Sequence, residues 1–161
     1  MINDISGGDR DKKMYQIIAK HQVPYIFMHM RGTAKTMSQL TQYDDVVLEV
    51  TEALAKKLKK LRTLGINDMI ADPGFGFAKT LDQNYSLLNQ IDHLKHLGVP
   101  ILVGLSRKSM IYKLLEIEPE HALNGTSVAN TIALLKGANI LRVHDVLQAK
   151  EAIRLVSALK N

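Results

Sequence analysis

Five short, continuously apolar runs alternate with five longer stretches whose apolar residues recur every three or four positions, and this alternation restricts the possible folds more than any other feature. The runs are MINDI, VPYIFMH, INDMIAD, PILVG and NILRVH. They do not switch between polar and apolar residue by residue, which is how strands covered on both faces look. The stretches between and after them run from Asp9 to Gln22, Asp44 to Leu64, Thr80 to Leu97, Ser106 to Leu115 with Ala122 to Lys136, and Val146 to Leu159. In the second, Val47, Val50, Leu54, Leu58 and Leu61 trace one helical stripe. Gly65, Gly98 and Gly137 each stand just ahead of the next strand, where a helix closes with a left-handed cap. The pattern predicts about five βα units, hence an α/β fold with a parallel sheet. No linker or low-complexity tract divides them, so residues 1–161 are read as one domain.

Composition removes several classes. With 46% hydrophobic and 23% charged residues the usage is globular, and a chain of 161 residues can bury a sizeable core. The absence of cysteine excludes a disulfide scaffold and a thiolate metal site, and suits the cytoplasm. No apolar run approaches the ~18 residues of a membrane span, and MINDISGG lacks the pattern of a signal peptide, so no membrane partner is expected. The net charge of +5 raises the question of nucleic acid. However, the cations concentrate in KKLKKLR (Lys56 to Arg62) at helical spacing with Leu58 and Leu61 between them, which reads as a solvated helix face rather than a nucleic-acid site.

Alternating βα units fit either a doubly wound open sheet or a (β/α)8 barrel. SGGDRD after the first strand is not the GxGxxG turn of a dinucleotide site, which weakens the first. In a barrel, functional residues come from the C-terminal ends of several strands. Here Asn3 and Asp4, Met28 to Arg31, Asp72 to Gly76, Gly104 to Lys108 and Arg142 to Asp145 occupy those ends. Two of these ends are cationic: SRKS (Ser106 to Ser109) follows ILVG, and RVHD (Arg142 to Asp145) completes NILRV. Lys108, Arg142 and His144 are therefore expected at one rim of the sheet, where they suit an anion. Lys108 falls in the first turn of a helix, against the dipole, a cost that favours function over packing. Ser106 and Ser109 are natural helix caps. Arg107 reads as solvent-facing or ion-paired. Arg142 and His144, one residue apart, point to the same side of a strand with Val143 opposite.

The stretches NDISGG (Asn3 to Gly8), MHMRG (Met28 to Gly32), ADPGFGFAKT (Ala71 to Thr80), GLSRKSMI (Gly104 to Ile111) and RVHDV (Arg142 to Val146) together resemble the successive signatures of the dihydropteroate synthase family, in order and spacing. The resemblance implies a pterin-binding (β/α)8 barrel. It also implies a transferase that joins (7,8-dihydropterin-6-yl)methyl diphosphate to 4-aminobenzoate in folate synthesis, with release of diphosphate and with sulfonamides competing at the aminobenzoate site. A pterin edge of donors and acceptors needs a carboxylate and an amide. Asp72 and Asn3 take those places by the resemblance, although an Asp before Pro73 also caps turns and an Asn before Asp also makes an Asx turn.

By the same resemblance, Met28 lines the apolar pterin wall, and Gly104 belongs to the substrate-binding set. Lys108 reaches the pterin carbonyl and the bridge to the diphosphate, while Phe77 and Ser109 sit at the aminobenzoate end. Arg142 stacks on the pterin and with His144 holds the diphosphate; a packed core histidine is the alternative for His144. His29 packs or bonds locally. Catalysis is expected from Lys108, Arg142 and His144, with Mg2+ held mainly by the substrate diphosphate and with no protein-held metal.

A complete barrel takes ~250 residues. The resemblance therefore implies that this chain carries the last five βα units of a partial barrel, that earlier units including an asparagine ligand for the metal lie outside it, and that activity of the chain alone is uncertain. Two exposed sheet edges would then favour self-association, where the full-length family forms homodimers. The alternative function is a pterin-binding module without catalysis, or the methyltetrahydrofolate-binding domain of a corrinoid methyltransferase, against which the cationic rim argues.

Overall fold

The computed structural model of the protein describes residues 1–159. Its strands are β1 (Ile2–Asp4), β2 (Tyr25–Met28), β3 (Met69–Asp72), β4 (Leu102–Val103) and β5 (Ile140–Leu141), one in each of the predicted runs. β1, β2 and β3 pair in parallel, β4 pairs in parallel with β5, and a parallel bridge from Ala71 to Ile101 joins the two ladders. The strand order is thus the chain order, without reversal. The fold is α/β with parallel strands, as the sequence predicts.

Helices separate the strands. α1 (Met14–His21) starts later than the pattern suggests, because Asp11 turns the chain ahead of it by accepting from the Lys13 N–H at 2.8 Å. α2 (Val46–Thr63) begins at Asp45, whose carboxylate accepts from the Val47 and Leu48 N–H groups at 2.9 and 3.0 Å. Its stripe of Val47, Val50, Leu54, Leu58 and Leu61 is buried throughout. α3 (Leu81–Asn89) opens on a capping box between Thr80 and Gln83. The predicted single helix to Leu97 instead changes to a 3-10 segment over Ile91–Leu97. Ile91, Leu94 and Leu97 are all buried, and a spacing of three places them on one side only where the turn holds three residues. α5 (Leu123–Leu135) and α6 (Val146–Ala158) fall where expected.

The helix predicted from Ser106 shrinks to α4 (Ser109–Tyr112). Arg107 adopts a left-handed φ of 54°, which breaks the turn before it can start. Lysine-rich α2 also departs from a uniformly solvated face. The Lys57 ammonium donates to the Ser6 and Gly7 carbonyls at 2.9 and 3.1 Å and pairs with Asp9 at 2.7 Å, fastening α2 to the loop after β1.

The larger core lies between the helices and one sheet face, with Tyr25, Phe27, Ala71, Ile101 and Val103 from the strands. Ile26, Ile70 and Leu102, with Ile140 beside them, form a separate row on the other face. The strands are thus apolar on both faces, which accounts for their unalternating sequence. Among the described residues β1 and β5 are the sheet's edges. Ile2 and Ile5 are 41% and 37% exposed at the first, and Leu147 and Leu155 of α6 are 65% and 71% exposed. Free edges and bared apolar groups promote pairing between copies. Size-exclusion chromatography with light scattering at micromolar concentration is expected to give masses above the 18.0 kDa of one chain. A monodisperse monomer that melts cooperatively contradicts this.

Candidate functional site

Strand register assembles much of the site. In a parallel pair, residues in register share a face, and so do residues two apart on one strand. Ile26 pairs with Ile70 and Leu102 with Ile140, which builds the apolar row. Two residues further along each strand stand Met28, Asp72, Gly104 and Arg142, and Met28 pairs with Asp72. Asn3 is in register with Ile26, beside the apolar row on β1. Four of the predicted site residues therefore form a second row above the first, and loops after β3, β4 and β5 bring Phe77, Lys108 and His144 to the same end.

A cavity of about 310 Å³ opens there, lined by Asn3, Phe77, Gly104, Lys108, Arg142 and His144. The Arg142 guanidinium bridges two strands. Its Nη1 donates to Asn3 Oδ1 at 2.8 Å, and its Nη2 lies 2.9 Å from Asp72 Oδ2. Asp72 is 1% exposed, and its Oδ1 accepts from the Gly74 N–H at 2.8 Å. The contact of Oδ2 with Arg142 is within ion-pair distance but misaligned for a hydrogen bond, so that oxygen keeps accepting capacity. Gly104 permits the arrangement: a Cβ there would stand 2.7 Å from Arg142 Nη2. A larger recess of about 550 Å³ lies between α2 and the 3-10 segment, bordered by Lys59, Arg62 and His96. It sits at the other end of the strands, away from the convergent groups.

Lys108 extends its ammonium to the Phe75 carbonyl at 2.9 Å and 4.3 Å above the centre of the Phe77 ring. Burial lowers its pKa, opposed by the charge of Asp72 and assisted by that of Arg142. His144 is exposed, with its Nδ1 2.9 Å from Ser106 Oγ, which also accepts from the His144 N–H at 3.3 Å. Arg107 grips Asp145 with two hydrogen bonds of 3.1 and 2.8 Å, the ion pair that the sequence allowed.

Several expectations change. Ser106 caps no helix; it is buried and holds His144. The N-cap of α4 is Lys108 and has no side-chain cap bond, while Ser109 is the first residue of that helix. Val143 lines the same cavity as Arg142 and His144, because β5 ends at Leu141 and strand alternation does not extend beyond it. Met28 is 1% exposed and lies under Gly74 rather than on the cavity wall. His29 bonds across the fold rather than locally.

Its partner is Lys79, which sequence reasoning missed. Lys79 is 9% exposed and donates to the Gly74 and Phe77 carbonyls at 2.9 and 3.1 Å, with its Nζ 3.1 Å from His29 Nδ1. It thus ties both ends of the loop that carries Phe75, Gly76 and Phe77. No local signal marks it, since a lysine ahead of a capping box reads as surface. Burial lowers its pKa to about 7, with Asp72 opposing. Burial, reinforced by the charge of Lys79, lowers that of His29 to about 3, which leaves a neutral ring whose Nδ1 accepts from Lys79.

The chain matches the model of the pterin binding enzyme family over residues 1–144. The dihydropteroate synthase of Synechocystis is 41% identical over 162 aligned residues, covering 99% of this chain and 56% of its own length. The crystal structure of Yersinia pestis dihydropteroate synthase in a sulfonamide complex superimposes with a TM-score of 0.95 at 37% identity, covering 99% of this chain and 58% of that one. The Thermus thermophilus dihydropteroate synthase, in complexes with 6HMPPP and with 4-aminobenzoate, superimposes with a TM-score of 0.93 at 38% identity. It covers 99% of this chain, which in turn covers 64% and 65% of the Thermus chain in the two complexes. This chain thus spans about half the length of the curated relatives it matches.

The Lys79 and His29 pair predicts a pH dependence. A cation whose pKa falls on folding is charged in the unfolded chain and neutral in the folded one between the two values, so stability rises with pH across that window. For His29 the window runs from about 3 to 6.5, and for Lys79 from about 7 to 10.5. The urea midpoint is expected to climb through both. Measurement should stop short of the pH where tyrosines titrate, since burial pushes Tyr15 up to about 12 and reverses the slope there. Lys79→Met is expected to flatten the upper climb and to reduce the lower one only in part, since burial of His29 remains its larger cause.

Proposed function

The chain belongs to the pterin binding enzyme family, and from that premise we propose that it carries the substrate site of a dihydropteroate synthase. The reaction in this reading joins (7,8-dihydropterin-6-yl)methyl diphosphate to 4-aminobenzoate and releases diphosphate, in the cytoplasm. The observation that carries it is the convergence of Lys108, Arg142 and His144 on one cavity with Asn3 and Phe77, directly over buried Asp72. The ligands of the Thermus thermophilus complexes support it, as does the unreversed strand order, which suits five of the eight units of a barrel.

Each residue has a role by chemistry. Asp72 and Asn3 accept from the N–H groups of the pterin edge, and buried Met28 supports that wall from below. Lys108 faces the ring carbonyl and the bridging oxygen. Gly104 leaves room for the arginine, and Phe77 with Ser109 borders the aminobenzoate end. Departure of diphosphate leaves a cation stabilised by the pterin at the methylene carbon, so no protein nucleophile is needed. Lys108, Arg142 and His144 stabilise the leaving charge, and the cavity positions the amine. A Ser106 hydroxyl that donates to His144 Nδ1 keeps the ring proton on Nε2, ready for a phosphate oxygen.

The described residues do not fit a resident cation. They contain no group of three or more His, Asp or Glu that could hold a metal, and the one carboxylate beneath the cavity is paired with Arg142. In this reading Mg2+ arrives on the substrate diphosphate, and no step here runs through it.

Pyrophosphate release by the chain, measured with and without 4-aminobenzoate, tests the proposal. Release that the amine accelerates is expected, with Lys108→Ala or His144→Ala lowering it about 100-fold. Pterin binding with no turnover would leave a binding module instead.

A further inference from the structure

In the ligand-free protein Arg142 occupies part of its own cavity. Its two terminal nitrogens reach Asn3 Oδ1 at 2.8 Å and Asp72 Oδ2 at 2.9 Å, with the fork against Gly104. A guanidinium presents adjacent N–H donors on one planar carbon. The 2-amino-4-oxo edge of a pterin presents the same unit, a ring N–H and an amino N–H on one carbon. Although Asp72 Oδ2 keeps accepting capacity, the two planar units cannot both lie across Asn3 Oδ1 and Asp72 Oδ2 in the same space.

The two partners differ in mobility. Asp72 is 1% exposed and its other oxygen is fixed by Gly74, so the carboxylate stays in place. The Arg142 side chain is 39% exposed and has rotatable bonds enough to leave. Once it leaves, Asp72 still has the charges of Lys79 and Lys108 near it, whereas Arg142 has lost its counter-ion.

We propose that Arg142 is an internal competitor that makes the site selective for pterins carrying an anion. A bare pterin has to displace the guanidinium from Asn3 and Asp72 and offers it only the face of its ring, with no anion in return. A pterin with a diphosphate draws Arg142 onto phosphate oxygens beside Lys108 and His144, so the displaced cation regains a partner. Discrimination then comes from the cost of emptying the subsite as well as from contacts with the phosphates. This rests on the reading of the cavity as a pterin diphosphate site, and it assigns Arg142 a second task there.

The test is binding of 6-hydroxymethyl-7,8-dihydropterin and of its diphosphate ester, by calorimetry, to the full chain and to Arg142→Met and Arg142→Lys. Removing a competitor raises apparent affinity by the reciprocal of the fraction of sites it left free, so with about one site in five free Arg142→Met is expected to bind the bare pterin about fivefold tighter, and the ester about tenfold weaker. Methylguanidinium added to that variant is expected to compete with the bare pterin. Arg142→Lys keeps the charge but replaces the planar fork with a single ammonium that cannot imitate the pterin edge, so it should gain affinity for the bare pterin too. It decides the matter if the methionine variant does not fold. If the unaltered chain binds the ester and neither variant gains affinity for the bare pterin, Arg142 is a ligand only and the inference fails while the proposed function stands. If no form of the chain binds either pterin, the function reading fails and takes the inference with it.

Discussion

The register between β2 and β3, with Ile26 against Ile70 and Met28 against Asp72, is the constraint on which the rest depends. Because side chains alternate along a strand, a slip of one residue would exchange the faces. Were β3 the strand to slip, Ile70 would turn toward the helices and Ala71 would stand where Asp72 lies beneath the cavity. The same two-residue step separates Leu102 from Gly104 and Ile140 from Arg142. One apolar layer thus fixes the height of the functional layer above it. The packing that stabilises the sheet and the geometry that aims its polar groups are a single arrangement.

Above that layer the electrostatics centre on one buried carboxylate. Asp72 is surrounded by Arg142 at 2.9 Å and by the charges of Lys79 and Lys108, so cations outnumber it. A buried charge is tolerated where partners and hydrogen bonds satisfy it, and here the Gly74 N–H and the arginine do so. Of these cations Lys108 and Arg142 line the cavity, whereas Lys79 is buried within the loop beside it. Burial lowers the pKa of both lysines, with the charge of Asp72 opposing.

The loops are fastened with equal economy of parts. Lys79 joins Gly74 and Phe77 and holds His29 from behind, so the aromatic ring under Lys108 rests on a three-point support. A carboxylate does the corresponding work after β1. Asp4 accepts from Ser6, Gly8 and the Tyr25 hydroxyl, and these bonds pull its pKa down although burial alone would raise it. Lys57 secures the same loop from α2. Rigid loops on a rigid sheet suit chemistry that depends on position more than on a protein nucleophile.

The sequence by itself determined the strand and helix order, because unbroken apolar runs and apolar residues recurring every three or four positions are both visible in the order of residues. It also pointed to the strand ends, where cations closing apolar runs singled out Lys108, Arg142 and His144 and the resemblance added Asn3 and Asp72. Only the tertiary structure decided which of them touch. Nothing local tells that Lys79 is buried against His29, that Ser106 holds His144 rather than a helix, or that Arg142 leans back onto Asp72 across the sheet. Those contacts join residues 38 to 70 positions apart in the chain, as with Ser106 and His144, Lys79 and His29, and Arg142 and Asp72. Periodicity reports how a segment lies on its own neighbours, whereas a partner from another strand is chosen by register, and register exists only once the sheet has formed.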